Sequence, residues 1–189
     1  MKDEKKNRRA KFADDAVMKR YPLNLTSNAI IRKVKMLHRL MEEHSVPNVE
    51  ELKAINLKKK CVVLKFIGLP FQPMNVRQLL MALRDVLEAL IAVHAINLMH
   101  RDLRWDNVLK YLDEQDKWFI IDVDEAALSP ATKVGHLNAD SHAPEILTSS
   151  HTVKVVIWSV GYLLKTSIIP YLPAELNTLK TLCLQQAPS

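Results

Sequence analysis

The stretch HRDLRWDNV, from His100 to Val108, places an arginine–aspartate pair and an aspartate–asparagine pair between two apolar segments. Asp102 and Asn107 are separated by four residues, and Asp122 closes the second of two strand-like segments that follow. A hairpin of these strands would bring Asp122 back beside Asn107. Carboxylate and amide oxygens suit Mg²⁺ that carries a nucleotide phosphate, and the remaining carboxylate could accept a proton from a hydroxyl. The pattern favours phosphate chemistry over its alternative, a solvated polar turn.

The hydrophobic pattern predicts the elements that position these residues. Apolar residues at three- and four-residue spacing indicate helices. The predicted helices are Ser27–His44, Asn75–His94 and a segment around Trp158–Leu164. β-Branched residues that end at a glycine indicate a buried strand over Cys61–Gly68. Two further strands, joined by the polar turn DEQD, are predicted over Asn107–Leu112 and Asp116–Asp122. One α+β domain with more helix than strand fits this order.

Composition points to one soluble globular domain. The chain has 189 residues, of which 48% are hydrophobic and 25% are charged, and these values are ordinary for such a domain. Its net charge of +6 lies mostly near the amino terminus, where residues 1–20 hold eight Lys or Arg against four Asp or Glu. The mixed signs predict a charged, disordered tail over residues 1–15. Nucleic-acid binding rests on this tail alone and ranks last among the functions.

Cysteine usage and the apolar runs bear on cellular location. Cys61 and Cys183 lie in apolar surroundings without the spacing of metal ligands, which indicates a reducing compartment. The longest apolar run, Val155–Leu164, is too short to span a bilayer, and no signal peptide is visible. We therefore expect a cytoplasmic protein with no membrane partner. The basic stretch KKNRRAK makes nuclear import an alternative.

The loop HRDLRWDN resembles the catalytic loop of eukaryotic protein kinases, in which a His-Arg-Asp triplet is followed by an asparagine. Three more motifs follow in the order of that family. They are IDVD (Ile121–Asp124) at the place of the metal-binding Asp-Phe-Gly triplet, HAPEI (His142–Ile146) with the Ala-Pro-Glu motif, and WSVGYLL (Trp158–Leu164), which is similar to the next core helix. The resemblance covers roughly Ser27 onward. It implies a protein-kinase-like α+β fold with a mostly helical C-terminal lobe and a reduced N-terminal lobe.

The resemblance implies a role for each matching residue. Asp102 would be the base that orients the hydroxyl of a protein substrate, and Arg104 would touch the transferred phosphate. Asn107 and Asp122 would hold Mg²⁺. The segment AVMK resembles the strand whose lysine binds the phosphates of ATP, so Lys19 would be the nucleotide-binding residue. ATP and Mg²⁺ are the implied cofactors.

The resemblance also implies a regulatory contact at Arg101. In the family, the arginine of this motif pairs with a phosphorylated residue of the activation loop. The hydroxyl residues in the corresponding segment here are Ser129, Thr132 and Ser141. Arg101 would therefore bind one of these residues after its phosphorylation.

The amino-terminal region departs from the family pattern. No glycine precedes Gly68, so the glycine-rich loop that covers the ATP phosphates is not found. No acidic residue occurs from Ala16 to Met41, so the helix glutamate that pairs with the phosphate-binding lysine is missing. Lys33 stands roughly at the position of that glutamate. The usual ion pair cannot form in its usual place.

Further departures lie in the second half of the chain. Asp124 replaces the glycine of the metal-binding triplet and removes its backbone freedom. Val156 replaces an aspartate that braces the catalytic loop. We expect a domain over residues 16–189 that is trimmed at both ends. Its partial N-terminal lobe would cover about residues 16–68 and its C-terminal lobe about residues 69–189.

Three functions fit these features. The first is a protein kinase, taken as the serine/threonine type, that transfers the γ-phosphate of Mg-ATP to a protein hydroxyl. The second is an inactive pseudokinase that serves as a binding or scaffold module for a protein partner. The third is a small-molecule phosphotransferase of the kinase-like superfamily, which IDVDEA favours and HAPEI disfavours. Self-association is also expected, because Cys61–Phe71 and Ile30–Met41 would stay partly uncovered under a reduced lobe.

Overall fold

A four-stranded antiparallel sheet and one helix form the amino-terminal part of the domain. The computed structural model describes residues 9–13, 16–24, 26–135, 137 and 139–185. Strands β1 to β4 have the sheet order β1-β2-β4-β3 and comprise Arg9–Ala13, Ala16–Arg20, Glu51–Asn56 and Cys61–Lys65. Strand β2 pairs with β4, and Lys19 stands opposite Val62. Lys19 therefore lies on one of the two central strands.

Residues 9–13 correct the prediction of a disordered tail over residues 1–15. They form β1, which pairs with β2 from Arg9 opposite Arg20 to Ala13 opposite Ala16. Strand β1 lies at the edge of the sheet. Charged side chains are common on edge strands, because they discourage pairing with other chains, so the charge that suggested a tail is compatible with a strand. Residues 1–8, 14 and 15 lie outside the described residues.

Helix α1, Ser27–Glu43, packs on this sheet and ends one residue before the predicted boundary. Its residues Ile31 and Val34 join Val62 and Leu64 of β4 in one apolar cluster. Ile31, Val34 and Val62 are at most 1% exposed. The expectation that the helix and strand would stay partly uncovered is therefore wrong for their main apolar residues, because the two elements cover each other. The reason given for self-association does not hold for these side chains.

Helix α2, Val76–Ala95, is the centre of the larger lobe and matches the predicted helix within one residue at each end. The side chain of Asn75 caps it by accepting the backbone N–H of Gln78 at 2.9 Å. Its buried apolar residues carry the predicted spacing. They include Leu79, Leu83, Val86, Leu90 and Val93. Burial of this stripe in the main core, rather than helix propensity, stabilises the element.

The two strands predicted after the polar loop form a hairpin of β7, Val108–Tyr111, and β8, Trp118–Ile120. They join the short strand β5, Gly68–Leu69, in a three-stranded sheet. Asp85 of α2 accepts the backbone N–H of Trp118 at 2.8 Å, so the hairpin is tied to the central helix. Strands β6, Leu98–Met99, and β9, Ala127–Leu128, pair with each other on either side of the loop and hairpin.

Helices α3, Lys154–Lys165, and α4, Ala174–Leu184, follow. The sequence predicted only the second half of α3, and it did not predict α4, in which Leu176 is the one buried residue. The two helices pack closely. A Cβ atom on Gly161 of α3 would lie 2.8 Å from the Cβ atom of Cys183 of α4. Among the described residues, none of the helices combines the length and the apolar character needed to cross a bilayer.

Gly68 is required by close packing beneath the hairpin. A Cβ atom at this position would lie 2.6 Å from Leu109 Cβ and 2.7 Å from a ring carbon of Phe119. We expect Gly68→Ala to lower the free energy of unfolding by roughly 1–3 kcal/mol, because the core would be overpacked. Urea titration measures this loss. Gly135→Ala is the matched control, since no described atom lies within 4 Å of the added Cβ. An unchanged midpoint for Gly68→Ala would contradict the packing argument.

Candidate functional site

A cleft of about 330 Å³ lies between the amino-terminal sheet and the β7–β8 hairpin. Val17 and Leu64 line it from the sheet, and Leu109 and Ile121 line it from the hairpin side. Its charged lining residues are Lys19, Glu50, Lys65, Arg104 and Asp122. Apolar walls with a few polar groups are typical of small-molecule sites of this size. Three of the five predicted site residues, Lys19, Arg104 and Asp122, thus share one cleft.

Lys19 is held by two carboxylates. Its Nζ atom lies 2.7 Å from Asp122 Oδ1 and 3.0 Å from Asp124 Oδ1. Burial by itself lowers the pKa of Lys19, but the charges of Asp124 and Asp122 outweigh burial and raise the pKa above its ordinary value. The ammonium group therefore stays charged at any physiological pH. The sequence lacks the helix glutamate with which the corresponding lysine of the family pairs. In this chain Lys19 pairs instead with Asp122 and Asp124 of the IDVD segment.

The hairpin brings Asn107 and Asp122 together, as the sequence predicted. The backbone carbonyl of Asn107 accepts the N–H of Ile121, the neighbour of Asp122, at 2.9 Å. The side-chain amide of Asn107 donates to the backbone carbonyl of Asp102 at 2.6 Å, so Oδ1 is the atom that can face a cation. Asp122 adopts the left-handed conformation with φ of 65°, which is uncommon for residues other than glycine but tolerated by aspartate.

Asp102 is buried and hydrogen-bonded. Its Oδ1 atom accepts the Nε2–H of His142 at 3.0 Å and lies 3.4 Å from Arg104 Nε. The Nδ1 atom of His142 in turn accepts the hydroxyl of Ser141 at 3.0 Å. Arg104 reaches from this carboxylate into the cleft, because it also lines the cleft wall. The predicted base is thus connected to the cleft through Arg104, and to the segment before Ala-Pro-Glu through His142.

The loop that carries Asp102 is braced from two sides. His100 donates Nε2–H to the carbonyl of Ile121 at 2.9 Å, while its Nδ1 accepts the N–H of Asp102 at 3.3 Å. The indole N–H of Trp105 donates to the carbonyl of Leu163 on α3 at 2.9 Å. Val156, which replaces the expected bracing aspartate, is fully buried in the apolar core. Trp105 provides a direct hydrogen bond from the loop to α3.

The side chain of Arg101 binds two backbone carbonyls of the segment that corresponds to the activation loop of the family, between IDVD and HAPEI. Its Nε–H donates to the carbonyl of Glu125 at 2.6 Å and its Nη1–H to the carbonyl of Thr132 at 3.2 Å. Arg101 is itself buried. Among the three hydroxyl residues predicted as phosphate acceptors, Thr132 is exposed and Ser129 and Ser141 are half-buried. Pairing of Arg101 with a phosphorylated side chain stays a prediction.

Glu50 and His142 are among the residues of the site that were not predicted. Glu50 lines the cleft although it is buried, and its Oε1 atom lies 3.6 Å from Nε2 of His38 on α1. Burial by itself raises the pKa of Glu50, but His38 and the charge of Lys19 lower it by more, so Glu50 is ionised at neutral pH. His142 is the other residue. Its one signal in the sequence is its place directly before Ala-Pro-Glu.

Comparison with known proteins agrees with this arrangement of motifs. A sequence model of the protein kinase domain matches residues 5–186 of the chain. The match begins within the segment predicted as a tail, in keeping with strand β1. The chain is also 39% identical over 142 residues to "Crinkler effector protein 8" of Phytophthora infestans.

The alignment with that relative covers 73% of this chain but only 24% of the relative. The chain therefore spans about a quarter of the length of the curated relative that it matches. The family match and the observed α+β architecture of small sheets and four described helices point to one conclusion. The chain belongs to the protein kinase family and has its fold.

Proposed function

We propose that this chain is a phosphotransferase that transfers the γ-phosphate of Mg-ATP to a protein hydroxyl. The observation that carries the proposal is the connected set of charged groups from the cleft to Asp102. Lys19 and Asp122 line the cleft in contact with each other, and Arg104 lines it 3.4 Å from the Asp102 carboxylate. In phosphoryl transfer the protein mainly positions the reactants and stabilises charge. A cleft whose charged side chains contact one another in fixed positions can hold the reactants and stabilise their charge.

Asn107 and Asp122 fit a magnesium ion that a nucleotide helps to bind. Mg²⁺ in such sites takes one or two protein ligands and completes its shell with phosphate oxygens and water. Within the described parts of the chain, no group of three or more His, Cys, Asp or Glu could hold a metal ion alone. The donor set is therefore that of a site completed by its nucleotide. When bound, the metal would neutralise phosphate charge, and Lys19 would contact the phosphates beside it.

Asp102 is the residue of this chain suited to take the proton of the acceptor hydroxyl. A base must come within about 2.6–3.2 Å of the group that it deprotonates. The Asp102 side chain is 0% exposed, and its Oδ1 atom already binds His142. The acceptor hydroxyl would therefore either reach the second carboxylate oxygen or replace His142. In either case the segment that contains Ser141 and His142 would form part of the acceptor site.

Nucleotide binding to the purified chain should depend on magnesium. In this proposal the phosphates are held by Lys19 and Arg104 and by a metal ion on Asn107 and Asp122, so we expect weak binding that the metal strengthens. ATP at 100 times its dissociation constant should stabilise the fold by roughly 2.7 kcal/mol, which a thermal melt detects. The same ATP concentration with EDTA should give a much smaller shift. Equal shifts with and without magnesium, or no shift at all, would argue against the proposed site.

A catalytically inactive binding module is the second candidate function. The observation that favours it is the contact of Lys19 with both Asp122 and Asp124. In these ion pairs the proposed phosphate-binding lysine is bound to one of the proposed metal ligands, Asp122, instead of to a nucleotide. Such a module would bind nucleotide or a protein partner without turnover. A magnesium-dependent thermal shift together with no phosphate transfer to any protein substrate would favour this candidate over the enzyme.

A further inference from the structure

Helix α1 lacks the expected glutamate, but its Lys33 contacts the IDVD segment that binds Lys19. Lys33 on α1 is half-buried, and its Nζ–H donates to the backbone carbonyl of Asp124 at 2.8 Å. Lys33 stands roughly where the family has the glutamate. The helix position therefore carries the opposite charge, and its partner is the main chain of the IDVD segment rather than Lys19.

The missing carboxylate is found on that same segment. Asp124 lies in the short helical turn Val123–Glu125, and its side chain is only 2% exposed. Its Oδ1 atom lies 3.0 Å from Lys19 Nζ and accepts the hydroxyl of Tyr21 at 2.9 Å. Tyr21 follows the end of β2, so Asp124 is held against the strand that carries Lys19. Asp124 thus contacts β2 with its side chain and α1 with its carbonyl.

We propose that Asp124 is a positioning residue for Lys19 and, together with Lys33, replaces the ion pair between the strand lysine and the helix glutamate. This inference rests on the proposed function, in which Lys19 binds the phosphates of the nucleotide. Asp122 would face two cations there, Lys19 and the metal. Asp124 gives Lys19 a second carboxylate, so the ammonium group keeps its place when Asp122 binds the metal.

The arrangement amounts to an exchange of charge between two positions. In the family, the helix carries the acid and the third residue of the triplet is glycine. Here the helix carries Lys33 and the third residue is Asp124. The two departures compensate each other, because the acid moved to the triplet pairs with Lys19 and the cation on the helix binds the same triplet. Restoring only one family residue should therefore do harm, whereas restoring both should not.

A double-mutant cycle tests this exchange. The variants are Asp124→Gly, Lys33→Glu and the double variant, with Lys35→Glu as a control for charge reversal at an exposed position of the same helix. The readouts are the dissociation constant of ATP with magnesium and the unfolding midpoint without nucleotide. Each single variant should weaken binding roughly tenfold or more, and the double variant should return to within about threefold of the wild type. The midpoints should follow the same order, and Lys35→Glu should match the wild type.

The outcomes separate this inference from the proposed function. If the wild type binds no Mg-ATP, the proposed function and the inference both fail. If the wild type binds but Asp124→Gly binds equally well, or if the losses of the two single variants add in the double variant, only the inference fails. Asp124→Asn covers the case in which the glycine variant does not fold, since it keeps the side-chain volume and an oxygen for Tyr21. Its nucleotide affinity should fall, and an unchanged affinity would overturn the inference.

Discussion

Asp122→Asn should remove the magnesium dependence of nucleotide binding. The substitution keeps the side-chain volume but removes the charge that a hard divalent cation requires. Asp122 is the single carboxylate in the proposed metal pair, so we expect the affinity for Mg-ATP to fall at least tenfold, to that measured with EDTA. Titration calorimetry with and without magnesium measures both values. The fold should persist, because Lys19 keeps its contact with Asp124 at 3.0 Å.

Asp106→Asn is the matched control for this variant. Asp106 lies on the same loop as Asn107, but its side chain is 78% exposed, its Oδ2 atom is no closer than 3.6 Å to Arg104 Nε, and it does not line the cleft. Its replacement should leave the affinity and its dependence on magnesium unchanged. If Asp122→Asn bound Mg-ATP as tightly as the wild type, the metal would have to be held elsewhere and the assignment of Asp122 would be wrong.

Asp102→Asn should separate binding from chemistry. Asparagine retains an oxygen that accepts the N–H of His142, so the buried contact at 3.0 Å can persist. It cannot take up the proton of an acceptor hydroxyl. A general base contributes about 10²–10⁴-fold to a rate. We expect the rate constant of phosphate transfer to fall by a factor in that range, while the dissociation constant of Mg-ATP stays the same. Single-turnover kinetics with γ-labelled ATP measures the first value, and calorimetry the second.

Loss of nucleotide affinity in Asp102→Asn would contradict this separation. It would place Asp102 among the groups that bind phosphate or metal. A rate equal to that of the wild type would exclude Asp102 as the base. Unfolding of the variant by urea shows whether either result stems from damage to the fold.

Local sequence patterns predicted the elements that carry the site. The apolar stripe of α2 was predicted to within one residue at each end, because its spacing is a local property. The hairpin of β7 and β8 was predicted from a polar turn between two apolar runs. Since a hairpin fixes which residues meet, the approach of Asn107 to Asp122 followed from it. The short strands β5, β6 and β9 were missed, because two residues are too few to show a pattern.

The charge pairs could not be predicted in the same way. Asp124 was recognised only as the loss of a glycine, whereas in the structure it binds Lys19, which lies more than 100 positions earlier in the chain. The contact of His142 with Asp102 spans 40 positions. Such pairs depend on how the sheet, α1 and the activation segment pack together. A buried acid such as Glu50 has no local signature either, because its neighbour Glu51 is exposed.

Transfer of labelled γ-phosphate by the wild-type chain tests the central proposal most directly. The chain would be incubated with magnesium, γ-labelled ATP and a mixture of proteins, beside Asp102→Asn and a sample with EDTA. The proposal predicts slow, magnesium-dependent transfer of label to protein hydroxyls that is lost in Asp102→Asn. Magnesium-dependent ATP binding without any transfer of label, or transfer that persists at an equal rate in Asp102→Asn, would contradict it.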